Sequence, residues 1–520
     1  MNTTARQYGI LLHITSLPSD EGIGTLGAES HHFLEWLSSA GASAWQQLPL
    51  VPIGAGHSPY SSPSAFAGNP LLISLERLAQ QTWLSAEEFS HYRETVRTWG
   101  QDSVKFEALT PLKQALLEQA ATRFLNTEGD HLASWRAFCS TEHSWLSESA
   151  LFSTLREHHC GGDPWWLWEE SIKHRDPESL KELCSTYREE INLYTVIQYW
   201  FQSQWDELKA HADLLQIKLI GDVPIYVDHN SADVWSQQEL FALNDDGSPQ
   251  SVAGVPPDAF SSTGQLWGNP IYRWSKHLST GYQWWVHRLR RALSLTHIVR
   301  IDHFRAFAAY WSIPFGSPDA RTGIWIKGPG LSLFRALSTA LAEEGSPLPL
   351  IAEDLGLIDQ PVRDLLSATQ LPGMKVLQFA FDGDTHNSYL PHQYSSPHCV
   401  VYTGTHDNET TREWWSSADE RTRHQVRMYC AISGDEDYIC WDMIRLAFSS
   451  IAELAVIPLQ DLLSLGEDAR MNIPSAPSGN WGWRVREEAL NTEVSNKAYD
   501  LASMFARLPL SVPSTSADDR

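Results

Sequence analysis

The chain has 520 residues, of which 42% are hydrophobic, 11% aromatic and only 19% charged, and this composition excludes disordered, collagen-like and coiled-coil classes. Its formal net charge of −25 at pH 7 opposes binding to nucleic acid or to an anionic lipid surface, because both need a positive protein surface. The sequence therefore predicts a large folded core and a neutral or cationic ligand.

Eight short apolar runs recur along the chain, each containing or directly followed by Gly, Pro, Asp or His and separated from the next by helical stretches. This is the pattern of parallel strands joined by crossover helices, and eight such strands predict a closed (β/α)8 barrel. In chain order the runs lie at residues 8–17, 44–52, 217–227, 296–304, 348–356, 374–381, 399–407 and 453–463. We expect residues 1–510 to form a single barrel domain.

Two connections between these runs are too long for one crossover. Residues 62–212 lie between the second and third runs and predict an inserted, mostly helical subdomain. Residues 229–295 form a second insertion, whose Pro/Gly-rich loop at 244–270 is expected to border a site above the barrel. The polar tail 511–520 is expected to fray.

The N-terminal segment has no apolar run behind a basic cap, and no 18 consecutive apolar residues occur, so we expect neither a targeting peptide nor a membrane span. The six cysteines are thinly spread without a CxxC pair, which favours free thiols in a reducing compartment over a zinc site or a disulfide framework. We therefore expect a cytoplasmic protein without a metal centre.

Carboxylates stand in or at the ends of four apolar runs: Asp222, Asp302, Glu353 and Asp407. In a (β/α)8 barrel the C-terminal ends of the strands converge on one mouth, where the reacting groups lie. Because four carboxylates around one mouth repel each other, we expect one to keep its proton at neutral pH and to serve as an acid.

Such a carboxylate set fits cleavage of a glycosidic bond, in which one carboxyl protonates the departing oxygen and another attacks, or activates water, at the anomeric carbon. A magnesium or calcium site is the rival interpretation, since carboxylates also hold these cations. A single strand-end aspartate more often caps a helix or pairs with an arginine, but four together favour a shared site.

Side-chain parity settles part of the arrangement. Arg300 precedes Asp302 by two residues, so in a strand both side chains emerge on the same face. Glu353 and Asp354 are adjacent and point to opposite faces, so only one of them belongs to the mouth, and parity does not say which.

At these residues the sequence resembles the 4-α-glucanotransferases called amylomaltases or disproportionating enzymes, glycoside hydrolase family seventy-seven of the α-amylase clan. The resemblance spans nearly the whole chain and includes GDVPIYVDHNSADVW at 221–235, RIDHFRAF at 300–307, IAEDLG at 351–356 and TGTHDNET at 403–410. Four further segments lie at 9–27, 58–75, 264–272 and 478–484. The resemblance implies transfer of α-1,4-glucan segments between maltooligosaccharides, or to glucose, by a retaining double displacement without a cofactor.

The family's functional positions map onto this sequence residue by residue. The resemblance implies that Asp302 is the nucleophile, Glu353 the acid/base and Asp407 the third carboxylate, which holds sugar hydroxyls and stabilises the transition state. The positions implied for substrate binding are Ser58, Tyr60, Asp222, Gln265, Trp267, Arg300, His406 and Asn480.

Two other functions remain as alternatives: an α-glucan hydrolase of the same clan and a non-catalytic glucan-binding barrel. The bare sequence barely distinguishes transferase from hydrolase, because the difference lies in how well loops exclude water from the intermediate. Only the resemblance favours the transferase.

Tyr60 and Trp267 lie in Gly/Pro-rich loops near the expected mouth, where their rings are predicted to cover sugar faces, whereas most other tryptophans are expected in the core.

Overall fold

The computed structural model describes residues 6–257, 261–343, 346–356, 358–474, 476 and 478–509. The tail at 511–520, for which fraying is expected, lies outside the described residues. Twelve strands occur in the described part: β1 (Gln7–Leu11), β2 (Ala44–Gln46), β3 (Lys218–Val223), β4 (Ser251–Val255), β5 (Gln265–Pro270), β6 (Ile298–Ile301), β7 (Ala309–Pro314), β8 (Ile324–Lys327), β9 (Leu350–Ala352), β10 (Gly373–Val376), β11 (Cys399–Tyr402) and β12 (Leu454–Pro458).

Eight of these strands form a parallel barrel in the order β10-β11-β12-β1-β2-β3-β6-β9. The ring closes between β9 and β10, where the Ala352 amide donates a hydrogen bond of 2.9 Å to the Pro372 carbonyl. The predicted (β/α)8 barrel is confirmed, and each of the eight apolar runs overlaps one barrel strand. The strands are shorter than the runs because the last residues of each run leave the hydrogen-bonded ladder at the mouth.

Nineteen α-helices lie in the described ranges. They are α1 (Ala28–Ser39), α2 (Leu75–Gln80), α3 (Ala86–Arg97), α4 (Phe106–Asn126), α5 (His131–Thr141), α6 (His143–Thr154), α7 (Glu170–Lys173), α8 (Pro177–Thr186), α9 (Arg188–Leu214), α10 (Ala232–Ser236), α11 (Trp274–Ser279), α12 (Gln283–Leu295), α13 (Leu331–Leu341), α14 (Gln360–Thr369), α15 (Thr411–Ser417), α16 (Glu420–Cys430), α17 (Ile439–Ser449), α18 (Leu459–Leu462) and α19 (Thr492–Met504).

One crossover differs from the barrel pattern. Residues 377–398, all of them described, connect β10 to β11 through two short 3₁₀ turns and contain no α-helix. The other connections each carry at least one α-helix, and α19 packs against α1 after the last strand. No helix in the described ranges is long and apolar enough to span a membrane.

The helices α2 to α8 lie between β2 and the long helix α9, which has 27 residues. Helix α9 packs against α4, α5 and α6 and also against α1 and β3. Two of its buried glutamines, Gln198 and Gln204, bond to the backbone of Gly68 and Ser74, in the chain that leads into the inserted helices. The same helix therefore holds the inserted helices and the barrel together.

A second, antiparallel sheet with the order β5-β4-β7-β8 lies outside the barrel. This second sheet is not predicted from the sequence, because its strands are short and lie among Gly- and Pro-rich segments without sustained alternation of polar and apolar residues. Strand β5 carries Gln265 and Trp267, so this sheet supplies one wall of the mouth.

Most buried apolar side chains of the described residues fall into two clusters, one mainly around β1, β2 and β10–β12 and the other around β3, β6 and β9.

Candidate active site

Arg300 forms the electrostatic centre of the mouth. It pairs directly with Asp222 across the neighbouring strands β3 and β6. Its Nη1 donates to both carboxylate oxygens of Asp222, at 2.8 and 2.7 Å, and its Nη2 donates to Asp302 Oδ1 at 2.8 Å. One guanidinium therefore links two of the four predicted carboxylates, as the parity argument for Asp302 anticipated.

The two buried partners affect each other's ionisation. Burial raises the pKa of Asp222, and the Arg300 guanidinium opposes that rise. Burial works against the charged guanidinium as well, but Asp222 and Asp302 outweigh it and hold the pKa of Arg300 well above its usual range. The positive charge among these carboxylates is thus supplied by the chain itself.

Glu353 follows β9 and is held by two backbone amides. Its Oε2 accepts from the His303 N–H at 2.6 Å, and its Oε1 accepts from the Leu355 N–H at 2.8 Å. Burial first, and then repulsion by Asp302, raise the pKa of Glu353 to about 8. A carboxyl group with that pKa is mostly protonated at neutral pH and can donate a proton.

The neighbouring Asp354 points elsewhere. Its Oδ1 accepts from the Met374 N–H at 2.7 Å, at the start of β10. Parity left the choice between Glu353 and Asp354 open, and the geometry directs Glu353 toward Asp302 while Asp354 ties two barrel strands together.

His303 shapes the backbone between these two carboxylates. It has a left-handed conformation with φ 51°, uncommon for a residue with a side chain, and this turn aims its N–H at Glu353. Its ring contacts Trp267 edge to face, with centroids 4.9 Å apart. Burial lowers the pKa of the His303 ring to about 4, so the ring is neutral at neutral pH.

Tyr60 and His406 extend the network from the other side. The Tyr60 hydroxyl donates to Asp222 Oδ2 at 2.8 Å and lies 2.9 Å from His406 Nε2, and the two rings are stacked 5.3 Å apart. Because the phenolic proton is engaged by Asp222, His406 must carry its proton on Nε2 to donate to Tyr60. The Trp481 ring lies against both, with centroids 5.7 Å from Tyr60 and 6.0 Å from His406.

Asp407 belongs to the loop after β11. Its side chain is 44% exposed, and its Oδ2 lies 3.3 Å from His406 Nε2. Its Oδ1 accepts a hydrogen bond of 2.6 Å from Asn472 Nδ2. The protein therefore contacts both carboxylate oxygens, while the exposed part of the side chain stays open to a ligand.

The remaining predicted binding residues lie around this network. Ser58 Oγ accepts from the Tyr60 N–H at 3.1 Å, and Gln265 Oε1 accepts from Trp267 Nε1 at 3.0 Å. The Asn480 amide instead holds its own loop: Oδ1 accepts from the Ile473 N–H at 2.9 Å, and Nδ2 donates to the carbonyls of Ile473 at 3.4 Å and of Ala476 at 3.0 Å.

Three residues of the site were missed by the sequence analysis. His303 and Trp481 directly follow the predicted residues Asp302 and Asn480, so adjacency was an available signal. Asn472 contacts Asp407 across 65 positions of sequence, and nothing local marks it.

The structure also bears on the alternative of a cation site. Among the residues that it describes, no group of three or more His, Cys, Asp or Glu side chains is arranged to hold a metal ion. Asp222 and Asp302 instead share the guanidinium of Arg300.

Comparisons with known proteins agree with this architecture. A family model described as 4-alpha-glucanotransferase, glycoside hydrolase family 77, matches residues 12–491. The 4-alpha-glucanotransferase of Synechocystis is 43% identical over 510 residues, which cover 96% of this chain and 98% of the relative. That of Thermus thermophilus is 43% identical over 509 residues, with 97% and 99% covered.

A solved structure is similar over the same length. The amylomaltase from Streptococcus agalactiae in complex with acarbose superposes with a TM-score of 0.92 at 35% identity, covering 97% of this chain and 100% of that one. The chain therefore belongs to the 4-α-glucanotransferase family, glycoside hydrolase family 77, and is a glucan-transferring enzyme.

Proposed function

We propose that this enzyme transfers α-1,4-glucan segments between maltooligosaccharides, or from them to glucose, with Asp302 as nucleophile and Glu353 as acid and base. The observation that carries the proposal is the contrast between these two carboxyl groups. Asp302 is hydrogen-bonded by the Arg300 guanidinium, whereas Glu353 is hydrogen-bonded by backbone amides and has its pKa raised to about 8. Two carboxyl groups in unlike environments are what a retaining glycosidase mechanism requires.

In the first step Asp302 attacks the anomeric carbon while Glu353 protonates the departing glycosidic oxygen. The bond to the leaving sugar breaks and an ester between the glucan and Asp302 forms. Because direct attack leaves no room for an intervening water, we expect the two carboxyl groups to lie about 5 to 5.5 Å apart.

In the second step the protonation state of Glu353 reverses. The ester removes the negative charge of Asp302, and that charge is the second cause of the raised pKa of Glu353. The pKa of Glu353 therefore falls in the intermediate, so that it can deprotonate the incoming 4-hydroxyl. The new glycosidic bond forms as the ester breaks, and two inversions retain the α configuration.

The residues around the two carboxyl groups are proposed to hold the sugar. Asp407, whose side chain is 44% exposed, offers its carboxylate to sugar hydroxyls and stabilises the cationic transition state. Asp222, Arg300, Tyr60 and His406 border the sugar at the cleavage point.

Residues farther from the cleavage point are proposed to form the neighbouring donor and acceptor subsites. These are Ser58, Gln265, Trp267 and Asn480. The Asn480 amide is already engaged by its loop, so its proposed contribution is to shape this part of the mouth.

The ligands and location proposed here follow from the same chemistry. Neutral maltooligosaccharides and glucose suit a chain with a net charge of −25, which repels anions. All six cysteines are free thiols, which supports a reducing, cytoplasmic location.

Digestion of maltotriose tests the proposal. Transfer should yield glucose together with longer maltodextrins while total reducing ends stay constant, because each bond broken is replaced by one formed. Chromatography and a reducing-end assay are run in parallel on the same digest. Reducing ends that rise with every bond cleaved would indicate a hydrolase, and untouched maltotriose would indicate a binding barrel.

A further inference from the structure

Asp407 reaches the mouth from a loop, whereas Asp222, Asp302 and Glu353 lie in or directly after barrel strands. It lies five residues beyond the end of β11 at Tyr402. The backbone of Asp407 is therefore not held by strand hydrogen bonds, and its carboxylate depends on contacts with other side chains for its position. The structure provides two: Asn472 Nδ2 at 2.6 Å from Oδ1 and His406 Nε2 at 3.3 Å from Oδ2.

The shorter contact comes from a buried and anchored residue. Asn472 is 8% exposed. The side chain of Arg470 donates from Nε to the Asn472 carbonyl at 3.1 Å and from Nη1 to Glu413 Oε1, on α15, also at 3.1 Å. The adjacent Met471 carbonyl accepts from the Trp481 N–H at 2.7 Å. The backbone that carries Asn472 is thus tied both to a helix and to the site's own Trp481.

We propose that Asn472 is a positioning residue that fixes the rotamer of Asp407 for transition-state stabilisation. An amide suits this task because it donates to the carboxylate without neutralising it, so Asp407 keeps its negative charge for the cationic sugar. The inference rests on the proposed role of Asp407 and assigns no direct contact between Asn472 and substrate.

Asn472→Ala should lower kcat/KM for maltotriose about 10- to 100-fold, the effect of losing one hydrogen bond to a charged group. The loss should fall mainly on kcat, because Asp407 acts in the transition state. The control is Asn491→Ala. Asn491 is the N-cap of α19, and its Oδ1 accepts from the Val494 N–H. That variant should lose thermal stability but keep its kcat.

A double-mutant cycle separates positioning from a general structural role. In an Asp407→Asn background, adding Asn472→Ala should cost less than about 3-fold more, because the group that Asn472 positions has already lost its charge. If the two losses multiply instead, Asn472 does not act through Asp407 and the proposal is overturned.

Asn472→Asp gives an independent readout in pH. The introduced carboxyl would face Asp407 at hydrogen-bond distance, where two carboxylates repel unless they share a proton. The ratio of variant to wild-type kcat/KM should therefore rise as the pH falls from about 8 to about 5. A ratio that stays constant with pH would overturn the proposal.

Failure of the transferase proposal would be seen separately. If the wild-type enzyme hydrolyses maltotriose, the same cycle is measured on hydrolysis, because the first chemical step is the same. Coupling between Asn472 and Asp407 would then support the inference even with the transferase assignment lost.

Discussion

Replacing Arg300 by methionine tests whether the ion-pair centre is as stabilising as its burial implies. The Arg300 and Asp222 side chains are 3% and 0% exposed, so Arg300→Met leaves a buried carboxylate without its cation. Breaking such a pair on one side costs about 3–5 kcal/mol. With an unfolding entropy of about 2.1 cal/mol/K per residue and about 500 residues in the folded unit, the loss corresponds to a drop in Tm of about 3–5 °C.

The cost should depend on pH with a defined sign. Without Arg300, burial keeps the folded-state pKa of Asp222 above its unfolded value. A carboxyl group whose pKa is higher in the folded than in the unfolded state destabilises the fold little at a pH below its unfolded-state pKa. The destabilisation grows as the pH rises from the unfolded-state pKa toward the folded-state pKa. The Tm difference between Arg300→Met and wild type should therefore be larger at about pH 8 than at about pH 5.

Scanning calorimetry with two further variants completes the assay. Arg486→Met makes the same substitution in an exposed ion pair, that of Arg486 with Asp102, and should leave the Tm unchanged. Adding Asp222→Asn to Arg300→Met should recover part of the loss, because no unpaired charge remains buried. A drop in Tm for Arg300→Met no larger than that for Arg486→Met would refute a stabilising role for the buried pair, as would a Tm that Asp222→Asn does not raise in the Arg300→Met background.

Three further predictions concern catalysis. The kcat/KM for maltotriose should fall as the pH rises through about 8, because ionised Glu353 cannot protonate the leaving oxygen; a profile flat from about pH 6 to pH 10 would contradict this. Asp302→Asn and Glu353→Gln should each fold, by circular dichroism, yet lose activity by orders of magnitude, whereas near-native activity of Asp302→Asn would reject the nucleophile. Trp267→Ala should raise reducing-end release relative to transfer, while the control Trp325→Ala, an exposed tryptophan on β8 of the same sheet, should leave the ratio unchanged.

The barrel was predictable because strands buried on both faces appear as continuous apolar runs, and each of the eight runs overlaps a strand of the closed sheet. The antiparallel sheet was not predictable in the same way. Strand β8, Ile324–Lys327, is a short edge strand with exposed Ile324 and Trp325, so burial imposes no readable alternation on it. The missing helix between β10 and β11 was equally hidden, because a connection of ordinary length does not reveal whether it is helical.

Strand-end carboxylates were predictable because barrel geometry sends them to one mouth. The sequence did not say which of Glu353 and Asp354 faces Asp302, since parity allows either choice. In the structure, Asp354 bonds to the Met374 amide of the next strand, and that pairing depends on barrel closure. Asn472 was unpredictable for a similar reason, because its partner Asp407 becomes a neighbour only after the last barrel strand and its following loop have folded.

The carboxylates at the mouth have different environments mainly because of strand register and backbone hydrogen bonds, and less because of their residue types. Register places Asp222 opposite Arg300, and the same guanidinium reaches Asp302, so a cation lies beside both. Among the described residues no cationic side chain forms an ion pair with Glu353, whose carboxylate instead accepts hydrogen bonds from the amides of His303 and Leu355.

The left-handed turn at His303 is what makes this difference possible. It allows the residue directly after Asp302 to offer its N–H to Glu353, so a neutral donor is supplied where a cationic side chain would have lowered the pKa further. Burial and repulsion by Asp302 then outweigh the groups that lower the pKa of Glu353, namely Arg300 and the two amide donors, and the pKa rises to about 8. In the proposed mechanism, proton donation by Glu353 therefore depends on burial and on the charge of Asp302, and formation of the ester on Asp302 would remove the second of these causes and turn Glu353 from an acid toward a base.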